Sequence, residues 1–431
     1  MKIFVEDLQY DAIQFRTPLQ FAGSILTEMI MPRVTVRLTD GMSEGIGRGA
    51  MPLGNVWSFP SVPHEESLAA MRSLTDRVRH SIHGLELGDS IFEASHHLES
   101  MTKRCASQVC PAMPTLSALV VFSPFDIACF DAWGVMAKTN TFARLAQTPE
   151  AGNLAPWLDD RFRSFGLNRV VRTAPADSLP LFHCVGGLDP LTPAEVAKPI
   201  GDGLPEHLEE WIDKDQITHL KIKLHGDDPE WDFQRIVNID RVASDKVQGK
   251  AVYSLDFNEK CRSGMALVEL LRRLQKDSPD AFQNISYIEQ PTSRHLLDRP
   301  EDKMHEAARL KPVVIDEALT DYDALKRALS LGYSGVALKA CKGIGPSLLM
   351  AAACRMDNLF LCVQDLTCPG LALLASTSLA AWLGVSAIEA NARQFCPVAN
   401  AEWARRRPEV FTIRNGRVRT QGFGGKGLGF E

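Results

Sequence analysis

Several features that would place this sequence in a class at once are missing. A net charge of -6 gives no basic surface for nucleic acid, so DNA or RNA binding is not expected as its main role. No apolar run approaches the roughly 20 residues that cross a bilayer, and acids appear too early in the chain for a signal peptide. We therefore expect a cytoplasmic location and no membrane partner.

The ten cysteines include no Cys-x-x-Cys pair, and most of them lie in apolar surroundings. Free thiols in a reduced compartment are therefore favoured over a zinc site or a disulfide framework. His96, His97 and His225 have no histidine or cysteine at ligand spacing, which favours a solvated surface over a metal site. A Gly-x-Gly-x-x-Gly turn is also missing after the first strand of the alternating region, which disfavours an open dinucleotide-binding sheet.

The sequence has 431 residues and 45% hydrophobic content, which is enough for two globular domains. Residues 1–150 read as α+β. Alternation over 33–39 ends in Asp40-Gly41, which is typical of a hairpin. Residues 125–137 are apolar nearly all round and predict a buried helix within Pro124–Ala146. Residues 15–32 read as a connector of the length used for active-site lids.

The second half alternates between strand and helix patterns. Over about 181–394 this predicts a (β/α)8-type barrel, an α/β fold, with an N-terminal α+β capping domain at 1–150 and a linker or insertion at 151–180. Strands are predicted near Leu181–Val185, His219–His225, Val252–Asn258, Ile285–Gln290, Pro312–Ala318, Gly335–Ala340, Leu359–Gln364 and Ser386–Ala390.

One strand in this half carries two lysines, Lys221 and Lys223, which point to the same side because side chains alternate with period two. Three later apolar runs end in Asp256, Glu289 and Asp316, and a fourth ends in Lys339. The steps from Lys223 are 33, 33, 27 and 23 residues, close to the roughly 30-residue βαβ repeat. These five side chains are therefore expected at matching strand ends.

The carboxyl ends of barrel strands form the active face, so these residues should converge there. Any single acid at a strand end is more often a surface salt bridge, but five such residues on successive strands are hard to explain that way. Three carboxylates without histidine or cysteine suit Mg²⁺, with Mn²⁺ possible. Positive neighbours and partial burial are expected to lower the pKa of a lysine, which would let it act as a base.

These motifs resemble the enolase superfamily in order and spacing, and within it the muconate lactonizing enzyme group. The matching segments are Lys221-Ile-Lys223, Asp256-Phe-Asn258, Glu289-Gln-Pro291, Asp316-Glu317, and Lys339 followed by Lys342-Gly-Ile-Gly345. Glu44-Gly-Ile-Gly-Arg-Gly resembles the glycine-rich turn of that family's capping domain. Gly427-Leu-Gly-Phe resembles its closing motif, so residues of about 395–431 would complete the capping domain.

The resemblance implies that Asp256, Glu289 and Asp316 ligate Mg²⁺. It also implies that Lys223 and Lys339 face each other across a small carboxylate substrate as acid and base. Lys221 would contact the substrate carboxylate. The resulting activity is removal of the proton α to a carboxylate through an enolate, and we expect the enzyme to be a homo-oligomer.

The fate of the enolate stays open. A base on each face favours racemization or epimerization of an amino-acid-like or small carboxylic acid, with cycloisomerization or dehydration as alternatives and a non-catalytic scaffold as a remote one. The resemblance to this superfamily implies a histidine at the seventh strand for members of the mandelate racemase group. Residues 359–365 hold no histidine, which disfavours acid-sugar dehydration. Dipeptide epimerases of this superfamily usually carry Asp-x-Asp on the eighth strand, where it holds the ammonium group. The corresponding residues here are Glu389-Ala-Asn391, which disfavours a dipeptide substrate.

Four further side chains are candidates for substrate binding because they lie at predicted strand ends: Cys184, Asn258, Asp365 and Asn391. Of these, Asp365 suits either a cation-binding role toward an amino or betaine substrate or a helix-capping role.

Overall fold

A three-stranded antiparallel sheet and a parallel barrel sheet organise the computed structural model, which describes residues 1–21, 23–296, 299 and 302–431. The strands are β1 Lys2–Phe21, β2 Ser24–Thr39, β3 Glu44–Ala50, β4 Ser178–Val185, β5 His219–Lys223, β6 Val252–Asp256, β7 Ile285–Glu289, β8 Val313–Ile315, β9 Gly335–Lys339, β10 Phe360–Gln364, β11 Ile388–Glu389 and β12 Arg417–Arg419. The helices are α1 Asn55–Ser58, α2 His64–Ile82, α3 Ile91–Val109, α4 Thr115–Met136, α5 Thr141–Leu145, α6 Leu208–Asp215, α7 Pro229–Lys246, α8 Gly264–Asp277, α9 Pro279–Asn284, α10 His305–Leu310, α11 Tyr322–Ser330, α12 Ile344–Met356, α13 Leu371–Leu383, α14 Ala392–Phe395, α15 Ala401–Arg406 and α16 Pro408–Phe411.

The N-terminal sheet has the order β1-β2-β3 and packs against α4. Contact with the helix is close because β3 has glycine at alternate positions. A Cβ atom on Gly47 would lie 2.1 Å from the carbonyl oxygen of Ala128, and Gly45 and Gly49 are as tight. The segment that resembled a glycine-rich turn is therefore a strand, and its glycines let a helix backbone pack directly on a sheet.

The buried helix α4 begins at Thr115, nine residues before the predicted start at Pro124. The prediction was wrong because proline often opens a helix. Here Pro124 lies inside it, and the Ser123 hydroxyl donates to Val120 O at 2.8 Å, the carbonyl that a proline leaves without an amide partner. By length and composition α4 is long and apolar enough to cross a membrane, contrary to expectation. Of its most apolar window, 94% is buried inside the protein.

The predicted α/β barrel is confirmed. In the described residues eight parallel strands follow the order β10-β9-β8-β7-β6-β5-β4-β11, and β10 and β11 lie side by side to close the ring by packing. Each strand fills the interior with alternate side chains, among them Phe182, Tyr287 and Cys362. Helices cover the outside, as apolar stripes such as that of α8 require.

Two connecting segments differ from a simple linker. Residues 151–177 have short 3-10 turns and bury Leu154, Phe162 and Leu167, and their backbone bonds to the end of α13. In the second segment Pro193–Glu195 forms only a 3-10 turn, since the prolines and glycines of 188–207 interrupt helical bonding. The division into domains stays a prediction.

Asp126 of α4 joins the N-terminal region to the barrel. Its Oδ2 accepts hydrogen bonds from the amides of Ile344 (2.6 Å) and Gly345 (3.2 Å), at the start of α12. Burial raises the pKa of Asp126 to about 7, although these amides and Ser95 act in the opposite direction. The carboxyl therefore stays protonated in the folded protein at pH values where the unfolded chain has released the proton.

This difference gives a testable pH dependence. Because the folded-state pKa is raised, Asp126 makes the wild type less stable as the pH rises from about 4 to 7. Asp126→Asn keeps an oxygen acceptor but cannot ionise. We expect the free energy of unfolding of the variant, relative to wild type, to rise by about 2–3 kcal/mol between pH 5 and pH 8. Urea unfolding at both pH values measures this, and a pH-independent difference would contradict it.

Candidate active site

The predicted lysines and carboxylates lie at adjacent strand ends of the barrel. In register, Lys223 of β5 pairs with Asp256 of β6, which pairs with Glu289 of β7. Asp316 directly follows β8, and Lys339 ends β9. The carboxyl end of the barrel is here called the mouth. Because β5 and β9 are four strands apart in a ring of eight, their lysines lie on opposite sides of the mouth. The three carboxylates occupy the strands between them.

The carboxylates Asp256, Glu289 and Asp316 form a row across the strand ends, which we call the carboxylate row. Lys221 lies one layer deeper in the barrel, and its side chain extends up to this row. Its Nζ is 3.1 Å from Asp256 Oδ2, 2.7 Å from Glu289 Oε2 and 3.0 Å from Glu389 Oε1. The residue is only 2% exposed. A buried ammonium group is tolerated where several carboxylates compensate it, so Lys221 is firmly held.

Lys223 contacts the Asp-x-Asn motif of the neighbouring strand. Its Nζ contacts Asp256 Oδ2 and lies 3.0 Å from Asn258 Oδ1, while the Asn258 amide donates to Asp256 Oδ1 at 2.9 Å. Asn258 has φ 44°, a left-handed conformation that asparagine adopts more readily than most residues. The Lys223 side chain is 26% exposed, which makes it the most accessible of the three predicted lysines.

Lys339 contacts the opposite end of the carboxylate row. Its Nζ is 2.6 Å from Asp316 Oδ2 and 4.0 Å from Glu289 Oε1. Lys342, also buried, places its Nζ 3.1 Å from Asp316 Oδ1 and 2.5 Å from the backbone oxygen of the same residue. Asp316 therefore holds two lysines, one from the end of β9 and one from the turn that follows it.

The pKa values of the two outer lysines differ from expectation. Burial is the largest single effect on the pKa of Lys223 and lowers it, but the charge of Asp256 together with smaller contributions from other acidic neighbours such as Glu289 outweighs burial, so the pKa is raised. The same holds for Lys339, whose pKa Asp316 raises. The prediction that the pKa values of these lysines are lowered is therefore wrong for the protein by itself, because the nearest charges are carboxylates rather than the neighbouring lysines.

Acidic side chains nevertheless outnumber lysines at this site. Burial and the Asp256 charge raise the pKa of Glu289 well above its ordinary value, and burial with the Asp316 charge raises the pKa of Glu317 to about 7. In the described part of the chain five buried carboxylates meet four lysines, namely Asp256, Glu289, Asp316, Glu317 and Glu389 with Lys221, Lys223, Lys339 and Lys342. A bound cation would favour the ionised form of these carboxyl groups.

The residues fit a hard divalent cation by chemistry. Asp256, Glu289 and Asp316 are buried oxygen donors, which Mg²⁺ prefers, and the nearby Glu317 Oε2 is a buried oxygen without a partner among the described residues. Within those residues no three acidic, histidine or cysteine side chains form a ready cage, since lysine ammonium groups lie between the carboxylates.

The structure brings three of the four substrate-binding candidates to the strand ends as buried groups. Burial raises the pKa of the Cys184 thiol to about 12, so this cysteine is an unreactive side chain. Asp365 accepts from the amides of Cys368 (2.6 Å) and Asn391 (2.7 Å), which ties the loop after β10 to the end of β11. The Asn391 side chain donates to Glu389 Oε2 at 2.9 Å.

Three site residues were not singled out from the sequence. Trp57 reaches the mouth from α1 and donates from Nε1 to Glu317 Oε1 at 2.9 Å, a contact that no sequence pattern indicates. Gln364, at the end of β10, donates to Glu289. Glu389 ends β11 as a buried partner of Lys221, and the alternation of strands and acids was the signal that could have found it.

The predicted lid segment is the outer part of the β1–β2 hairpin, which we call the arm (residues 15–21 and 23–32). Backbone pairing continues to Phe21 and Ser24, and residue 22 lies outside the described residues. Arg16 forms an ion pair with Asp202 at 2.7 Å and donates to Pro205 O at 2.9 Å, in the loop that follows β4. The arm is therefore a strand pair attached to a loop at the carboxyl end of the barrel.

Comparisons with known proteins agree with this geometry. The family described as Enolase C-terminal domain-like matches residues 203–431, more than half of the chain. The chain belongs to this family. Its structural neighbours include members of the mandelate racemase and muconate lactonizing enzyme superfamily. No curated protein sequence matches the chain.

Solved structures show the same fold at low identity. A dipeptide epimerase from Enterococcus faecalis V583, complexed with Mg and L-Leu-L-Tyr, has a TM-score of 0.65 and 15% identity, over 100% of this chain and 99% of that one. A muconate lactonizing enzyme from Pseudomonas fluorescens, complexed with muconolactone, has a TM-score of 0.63 and 17% identity, over 100% and 96%. An enolase from Bradyrhizobium, complexed with magnesium and mandelic acid, has a TM-score of 0.62 and 14% identity, over 100% and 96%.

Proposed function

We propose that this protein is an isomerase that removes the proton α to a carboxylate through an enolate, with Mg²⁺ as cofactor. The preferred outcome is racemization or epimerization of an amino-acid-like or small carboxylic acid. The observation that carries the proposal is the placement of Lys223 and Lys339 on opposite sides of the mouth, with buried carboxylates between them. Two amines on opposite faces of one carbon suit proton removal from one face and delivery to the other.

The chain's own residues would divide the work as follows. Asp256, Glu289 and Asp316 would hold Mg²⁺, which when bound supplies positive charge that offsets the enolate and lowers the pKa of nearby lysines. Lys221, held by three carboxylates, would present its ammonium group to the substrate carboxylate. One outer lysine, as the neutral amine, takes the α-proton, and the C–H electron pair passes toward the carboxylate. The other lysine, as the ammonium ion, returns a proton.

The eighth strand bears on the substrate class. The dipeptide epimerases among the neighbours are complexed with dipeptides. In this chain the carboxylates near the ends of β10 and β11 already have partners, since Asp365 binds two backbone amides and Glu389 binds Lys221. We therefore favour a substrate whose amino group is blocked or absent over a dipeptide with a free ammonium group.

The proposal is tested by α-proton exchange in D₂O. The protein with Mg²⁺ is incubated with a library of amino acids, N-blocked amino acids, prolines, betaines and hydroxy acids. Mass spectrometry then follows deuterium at the α-carbon. We expect exchange of at least one acid, lost after treatment with EDTA and dialysis and restored by Mg²⁺. Exchange requires only enolate formation, so it is independent of the final product. Absence of exchange across the library would contradict the proposed function.

A further inference from the structure

Trp57 is the side chain through which the N-terminal region reaches the reaction centre. Its indole Nε1 donates to Glu317 Oε1 at 2.9 Å, and its ring centroid lies 4.6 Å from Lys339 Nζ. The residue is 7% exposed and lies far from both partners in sequence. One aromatic side chain thus contacts both the acid that follows Asp316 and the ammonium group of Lys339.

The short helix that carries Trp57 is fixed on both sides. The Asn55 side chain donates to His64 O at 2.9 Å and to Ser67 Oγ at 2.7 Å, which ties α1 to the start of α2. Before α1, Gly54 has φ 51°, and a Cβ there would lie 2.9 Å from a methyl group of Leu366. The short helix α1 is therefore held between the start of α2 and the loop after β10.

Lys339 has an aromatic contact in addition to its ionic partners. A lysine side chain has four flexible bonds, and among the described residues the ionic partners of Lys339 are Asp316 at 2.6 Å and Glu289 at 4.0 Å. A cation over an indole face is attracted by the negative face of the ring, and the ring also occupies space beside the lysine head group. Lys223 lies across the barrel, where its Nζ contacts Asp256 and Asn258. The two lysines are thus supported by different parts of the fold.

We propose that Trp57 is a positioning residue for Lys339, which it holds over the carboxylate row from the N-terminal side while its N–H fixes Glu317. This inference rests on the proposed function for its effect on reaction rate but not for its structural content. It makes the two faces of the site unequal. Proton transfer on the Lys339 face depends on α1, whereas transfer on the Lys223 face does not.

The first test measures structure without activity. Wild type, Trp57→Phe and Trp57→Leu are acetylated with limiting acetic anhydride, and modification of Lys339 and Lys223 is quantified by mass spectrometry. We expect the Lys339 to Lys223 ratio to rise several-fold in Trp57→Leu, because the cover over Lys339 is lost, and to change little in Trp57→Phe. Trp133→Phe is the matched control, since that indole is also buried and stacks on a cation, Arg144 at 3.9 Å, away from the barrel mouth. An unchanged ratio in Trp57→Leu would overturn the proposal.

The second test uses the face-selective reaction. For a substrate that exchanges in wild type, Trp57→Leu should slow exchange of the enantiomer that Lys339 deprotonates roughly tenfold, the effect of about 1.4 kcal/mol. Exchange of the other enantiomer and both KM values should stay near wild type. The exchange rate of Trp57→Phe on the Lys339 face should lie between those of wild type and Trp57→Leu, because phenylalanine keeps a ring but loses the hydrogen bond to Glu317. Equal slowing of both enantiomers would assign Trp57 a general structural role and refute positioning. If wild type exchanged no acid, the proposed function would fail. The acetylation ratio would then decide whether Trp57 positions Lys339.

Discussion

Asp256→Asn, Glu289→Gln and Asp316→Asn are each expected to lower α-proton exchange at least roughly a thousand-fold. The amides keep the shape of the carboxylates but remove the charge that would bind Mg²⁺ and orient the lysines. Titration calorimetry with Mg²⁺ or Mn²⁺ gives a readout independent of turnover, and we expect weaker binding in each variant. Full activity of any of the three variants, or of wild type freed of metal, would contradict the assignment.

Stability separates these variants from one another and from a control. Glu289→Gln leaves Lys221 with two carboxylate partners, whereas Asp316→Asn removes the closest partner of both Lys339 and Lys342. Asp316→Asn should therefore lose the most stability, about 3 kcal/mol, since breaking a buried ion pair leaves an uncompensated charge. Asp240→Asn is the matched control. Asp240 is a buried acid that accepts from the Tyr253 hydroxyl at 2.7 Å outside the row, and its replacement should keep metal binding and exchange.

Lys339→Met and Lys223→Met are expected to abolish opposite halves of the reaction. Each lysine is held on its own side of the mouth, so each variant should lose exchange of one enantiomer by a factor of about a hundred or more while the other enantiomer still exchanges. Methionine keeps the length and packing of the lysine stem without its amine. Proton NMR of separate enantiomers in D₂O measures both rates, and each variant is the control for the other.

The outcome also discriminates among the fates of the enolate. If both enantiomers continued to exchange in Lys339→Met, a two-base racemization would be untenable. Cycloisomerization or dehydration, in which one lysine acts mainly through its charge, would then be favoured. Loss of both rates in either variant would instead indicate that the two lysines act as one unit.

The fold prediction was right where the sequence pattern was regular and wrong where the local pattern was ambiguous. Strand ends were placed within a few residues because apolar runs ended at chemically distinct side chains. The arm (residues 15–21 and 23–32) was wrongly predicted as a connector, because its exposed strands lack the alternation that a buried face imposes. Pro124 was wrongly taken as a helix start, because nothing local reveals that the Ser123 hydroxyl satisfies the carbonyl freed by proline.

The sequence by itself determined the barrel, its parallel order and the set of lysines and carboxylates at its mouth. It did so because parallel strands joined by helices bring their carboxyl ends to one edge, whatever the details of packing. The tertiary structure decided which charges touch. Lys221 binds carboxylates of three strands, Trp57 meets Glu317 across 260 positions of the chain, and the outer lysines have raised pKa values. Such contacts depend on distances between segments remote in sequence, and electrostatic energies change steeply over those few ångströms.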